Sequence, residues 1–137
     1  MDETAIRAEV DRHHAALVAW LADGDETSWS EFASAHVPEF SVVSVGGRVL
    51  AWHELSQDLG AAGGSQPGLT IAIDHFDVLA TTTDVVVVRF RETHHQAGTR
   101  GGRWTTAVLQ RSPGSPAAFV WLAVHETAEN GTRPGGQ

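Results

Sequence analysis

Two stretches near the end of the chain decide the fold: Arg103-Trp-Thr-Thr-Ala-Val-Leu-Gln-Arg111 and Phe119-Val-Trp-Leu-Ala-Val-His-Glu-Thr127. Their apolar and β-branched residues are typical of long β-strands. The segment Ser112-Pro-Gly-Ser-Pro116 between them is rich in residues that interrupt strands, so the sequence predicts a hairpin. Trp104, Thr106 and His125 stand among apolar neighbours in this hairpin. Burial alone does not require them, and they indicate a ligand pocket.

The composition is that of one globular domain of 137 residues with a net charge of −8. We expect a domain over residues 1–129 and a flexible tail over 130–137, which is rich in Gly and Pro. The acidic balance argues against a nucleic-acid partner. The chain has no Cys, which excludes disulfides and thiolate chemistry. Without a signal peptide or a long apolar run, the expected location is the cytoplasm, away from membranes.

Outside the hairpin, apolar periodicity and turn residues predict three helices and four further strands. The predicted helices are Thr4–Ala22, Glu26–Ala35 and Trp52–Leu59. The predicted strands are Phe40–Val45, Arg48–Leu50, Leu69–Leu79, Val85–His95, Arg103–Gln110 and Phe119–Thr127. The order α-α-β-β-α-β-β-β-β, with short turns between long strands, predicts an α+β fold with an antiparallel sheet.

Two predicted strands are apolar on both faces, at Val85-Val-Val-Val88 and Val120-Trp-Leu-Ala-Val124. An antiparallel strand with one face in water alternates apolar and polar residues instead. Three helices suffice to cover one face of the sheet. We therefore expect the other face to be buried in a homodimer; the alternative is that a loop or the C-terminal tail covers it.

Glu92 and His125 are the candidate acid/base groups. Strict alternation would place Phe90, Glu92 and His94 on one face of their strand, so Glu92 would lie at the mouth of a cavity if Phe90 faces inward. The same alternation would place Trp121 and His125 on one face. Alternatively, Glu92 forms an ion pair at the surface, and His125 is a core residue whose ring is satisfied by hydrogen bonds. The predicted ligand-binding residues are Trp104, Thr106, His125 and Glu92.

The sequence predicts no metal site and no cofactor. The eight His are scattered, and the adjacent pairs His13-His14 and His94-His95 have no spacing suited to metal capture. The glycine-rich loop Gly60–Gly68 lacks the phosphate-binding patterns of nucleotide-binding proteins. There is also no nucleophile motif of the GxSxG kind.

The order of elements resembles the nuclear-transport-factor-2-like superfamily, and so do three stretches. They are Val85-Val-Val-Val-Arg-Phe-Arg-Glu92, the segment from Arg103 to Arg111, and Trp121-Leu-Ala-Val-His-Glu-Thr127. The branch it resembles holds SnoaL-like and ketosteroid-isomerase-like proteins and the association domain of calcium/calmodulin-dependent protein kinase II. The resemblance implies a cone-shaped curved sheet wrapped round helices, with an internal cavity and a dimer through the outer sheet face.

The resemblance leaves the reaction open, because fold alone does not determine function. In that branch the last strand often carries two His, whereas here the first position is Ala123. The chain has no Tyr, which excludes a Tyr-based oxyanion hole. The association-domain branch has an Arg in its penultimate strand where this chain has Ala107. Three hypotheses follow: a dimeric binding protein for small apolar molecules, a proton-transfer enzyme (isomerase, cyclase or dehydratase) acting on a small apolar carbonyl compound, and a protein-association module without a ligand.

Overall fold

The structure, a computed structural model, describes residues 3–114 and 118–129. Its helices are α1 (Glu3–Asp23), α2 (Glu26–Ala33) and α3 (Trp52–Gly60). Its strands are β1 (His36–Val43), β2 (Val49–Ala51), β3 (Thr70–Thr81), β4 (Val85–Gln96), β5 (Thr99–Arg111) and β6 (Phe119–Ala128). The predicted order of elements is confirmed, while the predicted tail over 130–137 lies outside the described residues. No helix in the described part of the chain is long and apolar enough to cross a membrane.

The six strands form one curved, open sheet in the order β2-β1-β6-β5-β4-β3. Every neighbouring pair is antiparallel except β1 and β6, which run parallel. The prediction of a wholly antiparallel sheet is therefore wrong for this one pair. A short turn fixes the relative direction of consecutive strands only, and β1 and β6 are distant in the sequence.

Helix α1 packs across the inner face of the sheet. Its side chains Ile6 and Val10 are fully buried, one turn apart on the same side of the helix. They join a core cluster with inward-facing residues of the two central strands. These strand residues alternate at every second position, as a pleated strand requires: Val86, Val88 and Phe90 on β4, and Ala107 and Leu109 on β5.

Two strands begin four residues earlier than the sequence predicts, which is the largest difference in any strand boundary. Strand β1 begins at His36 rather than at Phe40 and so includes Pro38. The pairing of β1 with β6 is irregular between His36 and Ser41, so Pro38 interrupts no regular ladder. Strand β5 begins at Thr99, because Ala97 and Gly98 alone make the turn, both with positive φ.

The loop from α3 to β3 is fastened to the end of α1. The Trp20 indole Nε1 donates to the Leu59 carbonyl at 2.7 Å, and the Gly64 amide donates to the Trp20 carbonyl at 2.9 Å. Gly63 lies against the indole so closely that an added Cβ would be 2.4 Å from the ring. The backbone N–H of Gln66 also donates to the Leu21 carbonyl, at 2.9 Å. The loop is thus held against one end of the space enclosed by helices and sheet.

Candidate functional site

A cavity of about 350 Å³ lies between the helices and the inner face of the sheet. Aliphatic and aromatic side chains from all three helices and from β1, β3 and β6 form most of its wall. Examples are Leu17, Leu21, Phe40, Leu55, Ile71 and Val124. The polar side chains on β4, β5 and β6 are neighbours in the strand register, since Glu92 pairs with Arg103 and Thr105 with Glu126. The cavity therefore has a largely apolar wall and, on these three strands, a polar region that holds its charged side chains.

Glu92 is the centre of the polar region and is only 3% exposed. Its Oε2 accepts hydrogen bonds from His14 Nε2 at 3.2 Å and from Thr105 Oγ1 at 2.8 Å. Its Oε1 accepts from His94 Nε2 at 2.7 Å. A buried carboxylate is costly unless such donors surround it. With three donors on two oxygens, Glu92 is held firmly in one position.

His14 balances the charge of Glu92. Its Nδ1 lies 2.8 Å from the Val10 carbonyl oxygen, and its Nε2 lies 3.2 Å from Glu92. Both partners are acceptors, so both ring nitrogens carry hydrogen and the ring is an imidazolium. Burial opposes this charge, but the bond and the negative charge of Glu92 outweigh it and raise the pKa of His14. Burial also disfavours the charged form of Glu92 and by itself would raise the pKa of this carboxyl group. The hydrogen bonds from His14 and His94 outweigh burial and hold the pKa of Glu92 well below its usual range.

Arg103 and Glu126 form a second ion pair in the same region. Arg103 Nη1 donates to Glu126 Oε1 at 3.1 Å, and both side chains line the cavity. Burial raises the pKa of Glu126, and the charge of Glu92 raises it further, against the opposing effect of Arg103. The cavity thus holds two carboxyl groups whose pKa values are shifted in opposite directions, Glu92 downward and Glu126 upward.

A pair of uncharged histidines forms another part of the wall. His13 and His36 share one hydrogen between their Nε2 atoms, which are 3.0 Å apart. Each ring stacks on an indole: His13 on Trp121 at 3.8 Å and His36 on Trp52 at 4.3 Å. Burial lowers the pKa of His36 to about 4, and burial and the neighbouring His36 lower the pKa of His13 well below its usual value. Both Nδ1 atoms are buried with no hydrogen-bond partner in the described part of the structure.

The four predicted ligand-binding residues do not lie together. Glu92 lines the cavity, whereas Trp104, Thr106 and His125 lie on the outer face of the sheet. Thr106 and His125 are paired there across β5 and β6. These three side chains therefore do not line the cavity. On β5 the residues that precede Trp104 and Thr106, namely Arg103 and Thr105, line the cavity instead.

A β-bulge explains why His125 was assigned to the wrong face. Leu109 pairs with Trp121 and the preceding Val108 pairs with Ala123, so Leu122 is an extra residue in β6. One extra residue reverses the alternation of all residues beyond it. Trp121 consequently faces the core, but Val124 and Glu126 line the cavity and His125 is exposed.

Sequence reasoning missed the polar residues that accompany Glu92 in the polar region of the cavity: His14, His94, Arg103, Thr105 and Glu126. A signal was present for some of them. Once Phe90 is taken as a core residue, Glu92 and His94 must share its face, and pairing β4 with β5 then brings Arg103 opposite Glu92. Local spacing gives no such signal for His14, because its partner Glu92 is 78 positions away.

No group of three or more His, Asp or Glu side chains that could hold a metal ion occurs within residues 3–114 and 118–129. In the group His14, Glu92 and His94, both histidine rings are instead hydrogen-bonded to the carboxylate of Glu92. What this arrangement can do chemically is hold a buried negative charge in one position at the cavity wall.

Comparison with known proteins links the chain to others of the same fold. No protein-family model matches it, and neither does any curated protein. Among solved structures, an NTF-2 like protein of unknown function from Pseudomonas aeruginosa is 31% identical, with a TM-score of 0.85 over 92% of this chain and 99% of that one.

More distant structures agree in fold alone. The CamKII hub homology domain from Chlamydamonas reinhardtii is 15% identical, with a TM-score of 0.66 over 92% of this chain and 99% of that one. A protein of unknown function with a cystatin-like fold from Nostoc punctiforme is 12% identical, with a TM-score of 0.68 over 94% and 92%. The identity and coverage of the Pseudomonas match go beyond a shared fold. The chain belongs to the nuclear-transport-factor-2-like family.

Proposed function

We propose that the chain binds a small, largely apolar molecule in its cavity, with a polar group of that molecule next to Arg103 and Glu126. The observation that carries this proposal is a cavity of about 350 Å³ with a largely apolar wall and a polar region that holds its charged side chains. Small-molecule sites have this character: apolar walls bury the ligand, and a few polar groups orient it. A packed core without a ligand would have no need of such a space, because interiors are filled to crystal-like density.

A ligand screen on the purified chain tests the proposal. We expect small alicyclic and aromatic alcohols or ketones to raise the melting temperature, and native mass spectrometry to detect any metabolite retained from the cell. Replacing Val124 by Phe fills part of the cavity and is expected to weaken binding by about tenfold or more. Leu79→Phe is the matched control, because Leu79 lies on β3 and is 45% exposed.

Two outcomes of these experiments would contradict the proposal. If no compound shifts the melting temperature and no molecule is retained, the cavity is not a binding site. If Val124→Phe and Leu79→Phe weaken binding equally, the ligand binds somewhere other than this cavity.

We further propose a homodimer through the outer face of the sheet. Val87 pairs with Val108, and Val108 pairs with Ala123, so these apolar residues form a continuous row across three strands. In a single copy Val87 and Val108 are only half-buried. We expect sedimentation velocity at micromolar concentration to give twice the chain mass, and Val108→Asp to give the monomer. A monomeric native chain would contradict the dimer.

Proton-transfer catalysis on a small carbonyl compound is the second candidate function. The observation that favours it is the opposite shift in pKa of Glu92 and Glu126 within one cavity. Such pairs are found where an enzyme needs an acid and a base. In this candidate Glu126, rather than His125, is the proton-exchanging group, and Glu92 is the fixed anion beside it. Exchange of the α-hydrogens of a bound ketone for deuterium, lost in Glu126→Gln, would support catalysis; binding without exchange would leave a binding protein.

The third hypothesis, an association module without a ligand, has the support of structural neighbours whose names include a hub homology domain and a putative association domain. These neighbours are 15% and 11% identical, so the likeness concerns the fold. A stable oligomer combined with an inert cavity would favour this hypothesis over the other two.

A further inference from the structure

We infer that the ligand of this cavity carries an uncharged polar group, such as a hydroxyl, a carbonyl or an amide, and is neither a carboxylate nor an ammonium ion. This inference rests on the proposed binding function and specifies its chemical class. Its basis is the way in which the charged side chains of the cavity are already paired with one another.

The first pair is Glu92 with His14. The imidazolium of His14 is fixed by two acceptors, and the carboxylate of Glu92 is fixed by three donors. Glu92 is the more deeply buried, with 4% of its side chain exposed. A ligand ammonium could reach this carboxylate only by displacing His14, His94 or Thr105, and each displaced donor would lose a charge-assisted hydrogen bond.

The second pair is Arg103 with Glu126, joined at 3.1 Å. Both remain partly accessible from the cavity, with 27% and 18% of their side chains exposed. Arg103 keeps further N–H donors, and Glu126 keeps an oxygen for which no bond is found among the described residues. A ligand can therefore accept from Arg103 and donate to Glu126 while the ion pair stays intact.

An ionic ligand would add a charge that has no counter-ion in this region. A carboxylate drawn to Arg103 would lie beside both Glu126 and Glu92, and an ammonium drawn to Glu126 would lie beside Arg103 and His14. Burying an unpaired charge costs far more than burying a neutral polar group that is hydrogen-bonded. The two internal pairs thus exclude ions of either sign and admit a neutral group.

Three probes of nearly equal shape test the inference at pH 6.5, where His14 keeps its proton: cyclohexylmethanol, cyclohexanecarboxylate and cyclohexylmethylammonium. Titration calorimetry is expected to give the alcohol the tightest binding, by about tenfold or more over either ion. Glu126→Gln leaves Arg103 without its counter-ion, so the carboxylate should then gain at least about tenfold relative to the alcohol. Arg103→Met leaves Glu126 unpaired, so the ammonium should gain instead.

The matched controls are Glu129→Gln and Arg91→Met, which make the same charge changes in an ion pair outside the cavity. Neither control should change the ranking of the probes. If the native chain binds the carboxylate or the ammonium as tightly as the alcohol, or if Glu126→Gln leaves the ranking unchanged, the inference is wrong while cavity binding stands. If none of the three probes binds, the proposed binding function fails and the inference fails with it.

Discussion

Trp121→Ala is expected to lower the free energy of unfolding by about 3–5 kcal/mol. Trp121 is 1% exposed, stacks on His13 at 3.8 Å, and donates from Nε1 to Glu9 Oε2 at 2.8 Å. Its removal leaves a large cavity beside the histidine pair. It also takes one donor from Glu9, a buried carboxylate whose other side-chain partner is Arg12. Urea denaturation followed by circular dichroism measures the loss.

Trp121→Phe separates the two contributions. Phenylalanine keeps most of the stacked ring but has no N–H, so Glu9 loses its donor while the packing is largely retained. We expect a loss of about 1.5–3 kcal/mol, the usual contribution of a hydrogen bond to a charged group, while Arg12 keeps its bonds to Glu9. A loss below about 1 kcal/mol for Trp121→Ala would mean that the indole is not part of the core in solution.

Acid is expected to destabilise the protein through the His13–His36 pair, by about 3 kcal/mol for His36 alone. The pKa of His36 is about 4 in the folded chain against its ordinary value of 6.5, because burial disfavours the imidazolium. The unfolded chain therefore takes up this proton first. The free energy of unfolding should fall as pH drops from about 6.5 to about 4 and become insensitive to His36 at lower pH. Urea denaturation at a series of pH values measures this slope.

The other buried groups act in different pH ranges. The pKa of His14 is raised, so its contribution is complete below 6.5 and is lost as pH rises through its higher folded value. The pKa of Glu92 is lowered from 4.5, so its contribution is lost only as pH falls further below that value. His36→Phe should flatten the fall between pH 6.5 and 4, whereas His53→Phe, at an exposed site on α3, should leave it unchanged. An unchanged slope in His36→Phe would refute the assignment.

The architecture could be predicted from the sequence because its determinants are local. Apolar periodicity located the helices and long strands, and residues such as Gly98 marked the turns. The parallel contact of β1 with β6 had no local signal, since it joins residues such as Val42 and Val124 that are far apart in the chain. The same limit applied to the cavity, whose buried charges are paired between α1, β4, β5 and β6.

Prediction of the site failed at one residue in particular. Strict alternation along β6 assigns His125 to the face of Trp121, and the extra residue Leu122 reverses this assignment. Nothing in the letters Trp121-Leu-Ala-Val-His125 distinguishes a bulged strand from a regular one, because any of these residues fits either geometry. Glu92 could be found because β4 pairs with β5 without a shift, so alternation holds along its whole length.

The extra residue in β6 has a consequence for how this strand tolerates change. Before Leu122, substitutions at odd-numbered positions such as Trp121 disturb the interior; after it, even-numbered positions such as Val124 and Glu126 do so. If each position of β6 is substituted in turn, the loss of stability should therefore be large at every second residue. This pattern should shift by one residue at Leu122. Deleting Leu122 would remove this shift and leave His125 on the outer face and Glu126 in the cavity wall, because the remaining residues already alternate regularly from Trp121 onward. In the native sequence it is the bulge that accommodates Leu122, and with it Val124 and Glu126 rather than Ala123 and His125 face the cavity.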